Sequence, residues 1–133
     1  MKQLSTSLAD FTYENTILIV CPVEGLYLDA PEMEAMLKEA VAFTGGEKYY
    51  ALIDMTRHID STSEARTYYS VSEYSKFRYA DALVIESLAT RLVTNFYLSI
   101  DKPPVPSKMF TAKEDAMTWL LEQKQNNDSK KPK

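Results

Sequence analysis

Hydrophobic period switches back and forth along this chain, and that alternation narrows the fold sharply. Short apolar runs suited to strands are separated by longer segments whose apolar residues recur at helical spacing. Leu8 to Tyr13 alternates apolar and polar residues, the period of a half-buried strand, and a turn at Glu14-Asn15 leads into the apolar run Ile17 to Cys21. These two predict an antiparallel hairpin. Asp29, Pro31 and Glu32 then form a helix start, with a capping side chain, a proline in the first turn and capping-box spacing. Met33, Met36, Leu37, Ala40, Val41 and Thr44 follow on one helical face, and Gly45-Gly46 ends the helix.

The unit then repeats. Tyr49 to Asp54 predicts a strand, Met55 to Asp60 a loop, and Ser63 to Phe77 a helix. Ala80 to Ile85 predicts another strand, followed by a helix from Ala89 to Ile100 with Leu92, Val93, Phe96 and Ile100 on one face. Pro103, Pro104 and Pro106 interrupt the chain before a short strand, Lys108 to Phe110. The last helix is expected to be capped by Thr111 with Glu114, and to pack through Ala116, Met117, Trp119 and Leu120. Strands alternating with long helices require crossover connections. The expected fold is therefore α/β: an N-terminal β-hairpin followed by βα units, with a mostly parallel sheet of about five strands and four helices.

Hydrophobic residues at 45% and charged residues at 26% fit a globular chain, and 133 residues suit one domain, read as residues 1–123. Residues 124–133 carry no apolar side chain and are expected to form a disordered basic tail. Lys124, Lys130, Lys131 and Lys133 lie there against Asp128 alone, which leaves 11 basic and 18 acidic side chains in the body. So acidic a body repels phosphates, and nucleic acid is excluded as a partner. No apolar run reaches the roughly 18–20 residues that span a bilayer, so no integral membrane association is expected. The single cysteine, Cys21, rules out an intrachain disulfide. Together with an N-terminus that lacks an apolar signal segment, this predicts a cytoplasmic protein. Homodimerisation is left open.

Chemistry-bearing motifs are few. The glycines are Gly25, Gly45 and Gly46, and the pair follows a helix instead of opening one, so no nucleotide loop is present. Asp54, His58 and Asp60 sit beyond the carboxyl end of a strand, where α/β sites form, but one histidine and two carboxylates do not make a metal cluster. No nucleophile–base pair stands out. The reading is no catalytic residue, no cofactor and no metal, hence no enzyme. Tyr68, Tyr69, Tyr74 and Tyr79 concentrate aromatic side chains around the second helix, where core packing competes with a partner surface.

The stretch from Leu52 to Ser63, with Asp54 ending its strand and Ile59-Asp60-Ser61-Thr62 forming its turn, resembles the central signature of SpoIIAA-like (STAS) domains. Ser63 to Arg66, Arg91 to Phe96, Lys102-Pro103, Met109 to Ala116 and Trp119-Leu120 resemble small stand-alone bacterial proteins of the STAS/SEC14-like group, most of uncharacterised function. The resemblance covers about Leu8 to Glu122. It implies a non-enzymatic regulatory or protein-interaction module with a kinase or anti-sigma type of partner. In anti-sigma-factor antagonists, the serine after the turn aspartate is phosphorylated, and by position that serine is Ser61. Those proteins follow the serine pair with glycine, whereas this chain continues Thr62-Ser63-Glu64.

Two readings of the turn stay open. Ser61 with Glu64, or Ser63 alone, has the spacing of a helix cap. Alternatively Ser61, Asp60 and Ser63, with Asp54 and His58 nearby, form a phosphorylation or partner-contact site. The SEC14-like side of the resemblance implies instead a small-molecule or lipid-binding domain. Its pocket would lie between the second and third helices near Tyr69, Phe77, Arg91 and Phe96.

Overall fold

The computed structural model describes residues 1–86 and 104–130. Its main sheet contains β1 (Lys2–Ser5), β2 (Ala9–Glu14), β3 (Ile17–Pro22), β5 (Tyr49–Asp54), β7 (Arg78–Val84) and β8 (Ser107–Phe110), in that spatial order. β1 to β3 pair antiparallel; β3, β5, β7 and β8 pair parallel. A two-stranded ribbon, β4 (Tyr27–Leu28) with β6 (Asp60–Ser61), lies apart from it. Among the described residues the α-helices are α1 (Ala30–Phe43), α2 (Ser63–Val71) and α3 (Lys113–Lys130). The helix expected from Ala89 to Ile100, which would be the fourth, lies outside the described residues.

Side-chain alternation in the strands builds two cores. Phe11, Leu18, Val20, Tyr49 and Ala51 point to the face covered by α1 and α2, where Met36, Ala40 and Ala65 meet them. Ile17, Tyr50, Leu52, Ala80, Ala82 and Val84 point to the other face and pack on Ala116 and Leu120 of α3. A sheet covered on both faces needs apolar residues at successive positions, which is why Tyr49 to Leu52 reads as a continuous buried run.

The structure corrects several expectations. The main sheet has six strands in place of about five, because β1 is a fully exposed edge whose sequence Lys-Gln-Leu-Ser shows no buried period. The hairpin turns at Asn15 and Thr16, both with positive φ (53° and 63°), the conformation of a two-residue loop matched to strand twist. α2 stops at Val71, where Ser72 swings to ψ 161°, and a separate 3-10 turn runs Glu73–Phe77. The β-branched Val71 between two serines gives the helix little reason to continue. The tail expected to be disordered from Lys124 is helical to Lys130. Its anchors are polar: Asn127 Nδ2 donates to the Tyr50 hydroxyl (2.9 Å), and Lys124 Nζ donates to the Asn15 carbonyl.

Candidate functional site

The site forms where the chain leaves the carboxyl end of β5. Asp54 Oδ1 accepts from the Thr56 backbone (3.0 Å) and hydroxyl (2.6 Å), which turns the chain away from the sheet. The loop is then pinned by its backbone. The His58 carbonyl accepts from Gly25 (2.8 Å), Asp60 N–H donates to Leu26 (3.0 Å) and Thr62 N–H donates to Leu28 (2.9 Å). Arg57 reaches Asp10 on β2 in an exposed ion pair at 2.9 Å. That pair and a hydrogen bond from Ser5 hold the Asp10 carboxyl below its ordinary range, the Ser5 bond contributing more.

These bonds bring the starts of α1 and α2 side by side. Asp29 caps α1 with a reciprocal capping box through Glu32. Thr62 caps α2 by accepting from Ala65 N–H at 3.1 Å, and its own hydroxyl donates to Asp29 Oδ1 at 2.8 Å. The cap of α2 is therefore Thr62, between the two residues expected. Ser61 is held in β6, and Ser63 is the first, exposed residue of the helix. Arg66, one turn into α2, curls back: its Nη1 donates to the Ser61 carbonyl (2.9 Å) and Oγ (3.3 Å).

Of the other residues singled out, Asp60 and His58 are exposed, and Asp54 also lies 3.8 Å from the Cys21 thiol. Burial, and secondarily the Asp54 charge, push that thiol above its usual pKa, so Cys21 is a poor nucleophile. Among the described residues, no three His, Cys, Asp or Glu side chains gather as a metal site. Tyr69, on α2, donates its hydroxyl to Asp81 Oδ1 (2.9 Å). Phe77 packs at the edge of the α1/α2 core, and Arg91 and Phe96 lie outside the described residues.

Beneath the turn is a cavity of about 90 Å³ between α1, α2 and the sheet. Phe11, Met33, Met36, Tyr49, Ile53 and Ile59 form much of its wall, while Ser61, Arg66 and Tyr69 bring the hydrogen-bonding side chains. Outside the cavity wall, Arg78 and Asp81 of β7, 1% and 2% exposed, form an ion pair at 3.0 Å. Residues three apart in a strand normally face opposite sides; an irregularity in register opposite Tyr49 and Tyr50 puts both on the α2 side. The Arg78 guanidinium also stacks on the Tyr69 ring at 3.9 Å and donates to the Tyr69 carbonyl (2.9 Å). Burial pushes the Asp81 carboxyl up against the opposing pull of Arg78, and it raises the Tyr49 phenol to about 12.

Sequence reasoning missed the buried Arg78–Asp81 pair. The available signal was Asp81 itself, a charge inside an apolar strand, which requires a buried partner.

A family model described as a domain of unknown function, DUF7793, matches residues 11–124. The chain belongs to the DUF7793 family. Its structure is similar to that of an uncharacterised DUF3478-family protein with a SpoIIAA-like fold from Shewanella loihica PV-4. That match has a TM-score of 0.60 at 19% identity, over 88% of this chain and 98% of the other. The fold of this DUF7793 protein is thus SpoIIAA-like. A protein of unknown function from Arthrobacter sp. FB24 aligns over 84% of this chain and 97% of its own, at 25% identity and a TM-score of 0.32. No curated protein matches. No helix among the described residues is long and apolar enough to cross a membrane.

Proposed function

We propose that this DUF7793 protein is a non-enzymatic regulatory module that presents the Asp60–Ser61 turn to a protein partner, with the Ser61 hydroxyl as the group a kinase modifies. One observation carries the reading: Arg66 Nη1 already lies 3.3 Å from Ser61 Oγ, beside the first turn of α2. A phosphate there would turn a cation–hydroxyl contact into a cation–anion one and would sit near the N–H groups of the first helical turn. Exposed Asp60 and Glu64 flank it, so the added charge would also drive local repulsion and change the surface a partner meets. Tyr27, 60% exposed and paired with Asp60 across the ribbon, extends that surface.

The test is intact-mass and phosphopeptide spectrometry of the protein from its native cells, reading residues 57–66, joined to partner capture. Phosphate on Ser61, and partner capture lost in Asp60→Asn or Ser61→Ala, is the expected result. An unmodified turn together with unchanged capture by both variants overturns it.

A ligand-binding reading is favoured by a different observation, the cavity beneath the same turn. It lies between α1, α2 and the sheet, and of the expected pocket residues that are described, Tyr69 is in its wall and Phe77 is not. The two readings are compatible, since a ligand under the turn would alter the surface above it.

A further inference from the structure

β1 closes one side of the main sheet, and all four of its residues are exposed. An edge strand carries a row of backbone groups with which a further strand can pair, and proteins blunt such edges with prolines, bulges or projecting charges. β1 has no proline and runs against β2 in unbroken register. Its charge, on Lys2, is drawn inward. Lys2 Nζ donates to the Phe43 carbonyl (3.3 Å) and lies 5.7 Å from the centre of the Phe43 ring.

Backbone direction fixes what the edge offers. Thr6 N–H donates to the Ala9 carbonyl at 2.9 Å, so Thr6 turns its backbone toward β2. Bonded and non-bonded pairs alternate in an antiparallel ladder, so Lys2 and Leu4 turn the same way, opposite Tyr13 and Phe11. The far side of β2 agrees. Glu14 and Ile17 flank a two-residue loop and form a bonded pair, so Thr12 and Asp10 turn to β3 and leave Tyr13 and Phe11 for β1. Gln3 and Ser5 therefore direct both N–H and C=O outward, into solvent.

We infer that this edge pairs with itself: two copies of the chain join β1 to β1 antiparallel about a two-fold axis at Leu4, continuing the sheet from one subunit into the other. In that register Gln3 and Ser5 of each copy exchange backbone hydrogen bonds with Ser5 and Gln3 of the other. Leu4 then faces its own counterpart. Such a contact must be self-complementary, and the side chains meet that condition. Leu4 is 38% exposed and shares a face with Phe11, so the Phe11–Leu4 row runs across the axis into its copy. Gln3 and Ser5 share the opposite, polar face with Thr12 and Asp10. Lys2 falls opposite Thr6, and no like charges meet along β1. Moving the axis to Gln3 or Ser5 would set Leu4 against Lys2 or Thr6 and lose the apolar pair. The inference is independent of the Asp60–Ser61 turn and of the cavity.

Sedimentation velocity of the full chain over a concentration series, joined to amide exchange by NMR, tests this. Strands this short bury far less than a standard interface of about 1,600 Å², so a weak dimer, half formed at roughly 0.1 mM, is expected. Gln3 and Ser5 amides should exchange about fourfold more slowly at about 1 mM than at about 0.01 mM, the ratio of free-monomer fractions at that affinity. The Leu4 amide, bonded to β2, should not respond. Gln3→Pro removes an outward N–H, so it should keep the β1–β2 ladder and abolish the dimer. Leu4→Lys sets two ammonium groups opposite each other and should weaken association at least about tenfold. In a Cys21→Ser background, Leu4→Cys should cross-link on oxidation, because opposed non-bonded residues lie about 4.5 Å apart at Cα; Lys2→Cys should not.

A chain that stays monomeric at about 1 mM overturns the proposal and leaves the edge to a strand of another protein. A dimer that persists in both Gln3→Pro and Leu4→Lys overturns the assignment to β1. Cross-linking of Gln3→Cys in preference to Leu4→Cys overturns the register. If Gln3→Pro detaches β1 from β2, Leu4→Lys and the cross-link still decide.

Discussion

Asp81→Asn should be among the most damaging single changes in this protein, although Asp81 touches no solvent. Arg78 and Asp81 are 1% and 2% exposed, and Arg78 Nε lies 3.0 Å from Asp81 Oδ1. Removing one partner of a buried pair leaves the other charge uncompensated, at a cost of about 3–5 kcal/mol. Tyr69→Phe deletes a single bond to the same carboxylate (2.9 Å) and keeps the ring under the guanidinium. It should cost about 1.5–3 kcal/mol. The double change Arg78→Met with Asp81→Leu should recover most of the loss. It removes both charges and also removes Arg78 Nη1, which is buried without an acceptor among the described residues.

Urea unfolding with a constant m-value measures all three. One result would refute the reasoning: a double variant as unstable as the sum of the singles.

Four further expectations concern the elements around the site. Thr62→Ala should cost about 1–2 kcal/mol in urea midpoint stability, because one hydroxyl caps α2 and bonds to the cap of α1, while Thr62→Ser should keep most of it. Gly46→Ala should cost about 1–2 kcal/mol from backbone strain alone, since φ is +78° and nothing lies within 4 Å of an added Cβ; a neutral effect by thermal melt would contradict this. Truncation after Gln123 should lower stability by about 1–2 kcal/mol through loss of the Asn127–Tyr50 and Lys124–Asn15 bonds, and an unchanged unfolding curve would show that this end of α3 does not dock. Iodoacetamide should alkylate Cys21 at mildly alkaline pH more slowly than a free thiol, and Asp54→Asn should speed it, because both burial and the Asp54 charge disfavour the thiolate.

The parts of the fold legible in the sequence were those written in long periodic runs. Met36, Leu37 and Ala40 recur on one face and are buried, and the capping box at Asp29 and Glu32 is where spacing placed it. The missing parts were those with no period to read. β4 and β6 are two residues each, too short to alternate, and β1 is an edge that faces solvent throughout. The last turns of α3 are polar, so their order comes from contacts with Tyr50 and Asn15, more than 70 positions away. Long-range hydrogen bonds leave no local signature.

The turn shows why its two sequence readings could not be separated by spacing alone. Three consecutive hydroxyl residues, Ser61, Thr62 and Ser63, each had the chemistry of a cap, and only backbone direction decides among them. Pairing of β6 with β4 holds Ser61 extended, so the chain first becomes helical at Ser63 and the cap falls to Thr62. That division of labour matters for function. With Thr62 committed to both helix starts, Ser61 is not needed to cap α2, and its Oγ is left to Arg66. A serine relieved of capping, held against a cation at the mouth of an apolar cavity, can change its charge or its partner without unwinding the helix below it. The local fold therefore separates what must stay fixed, at Thr62 and Asp29, from what can vary, at Ser61 and Arg66.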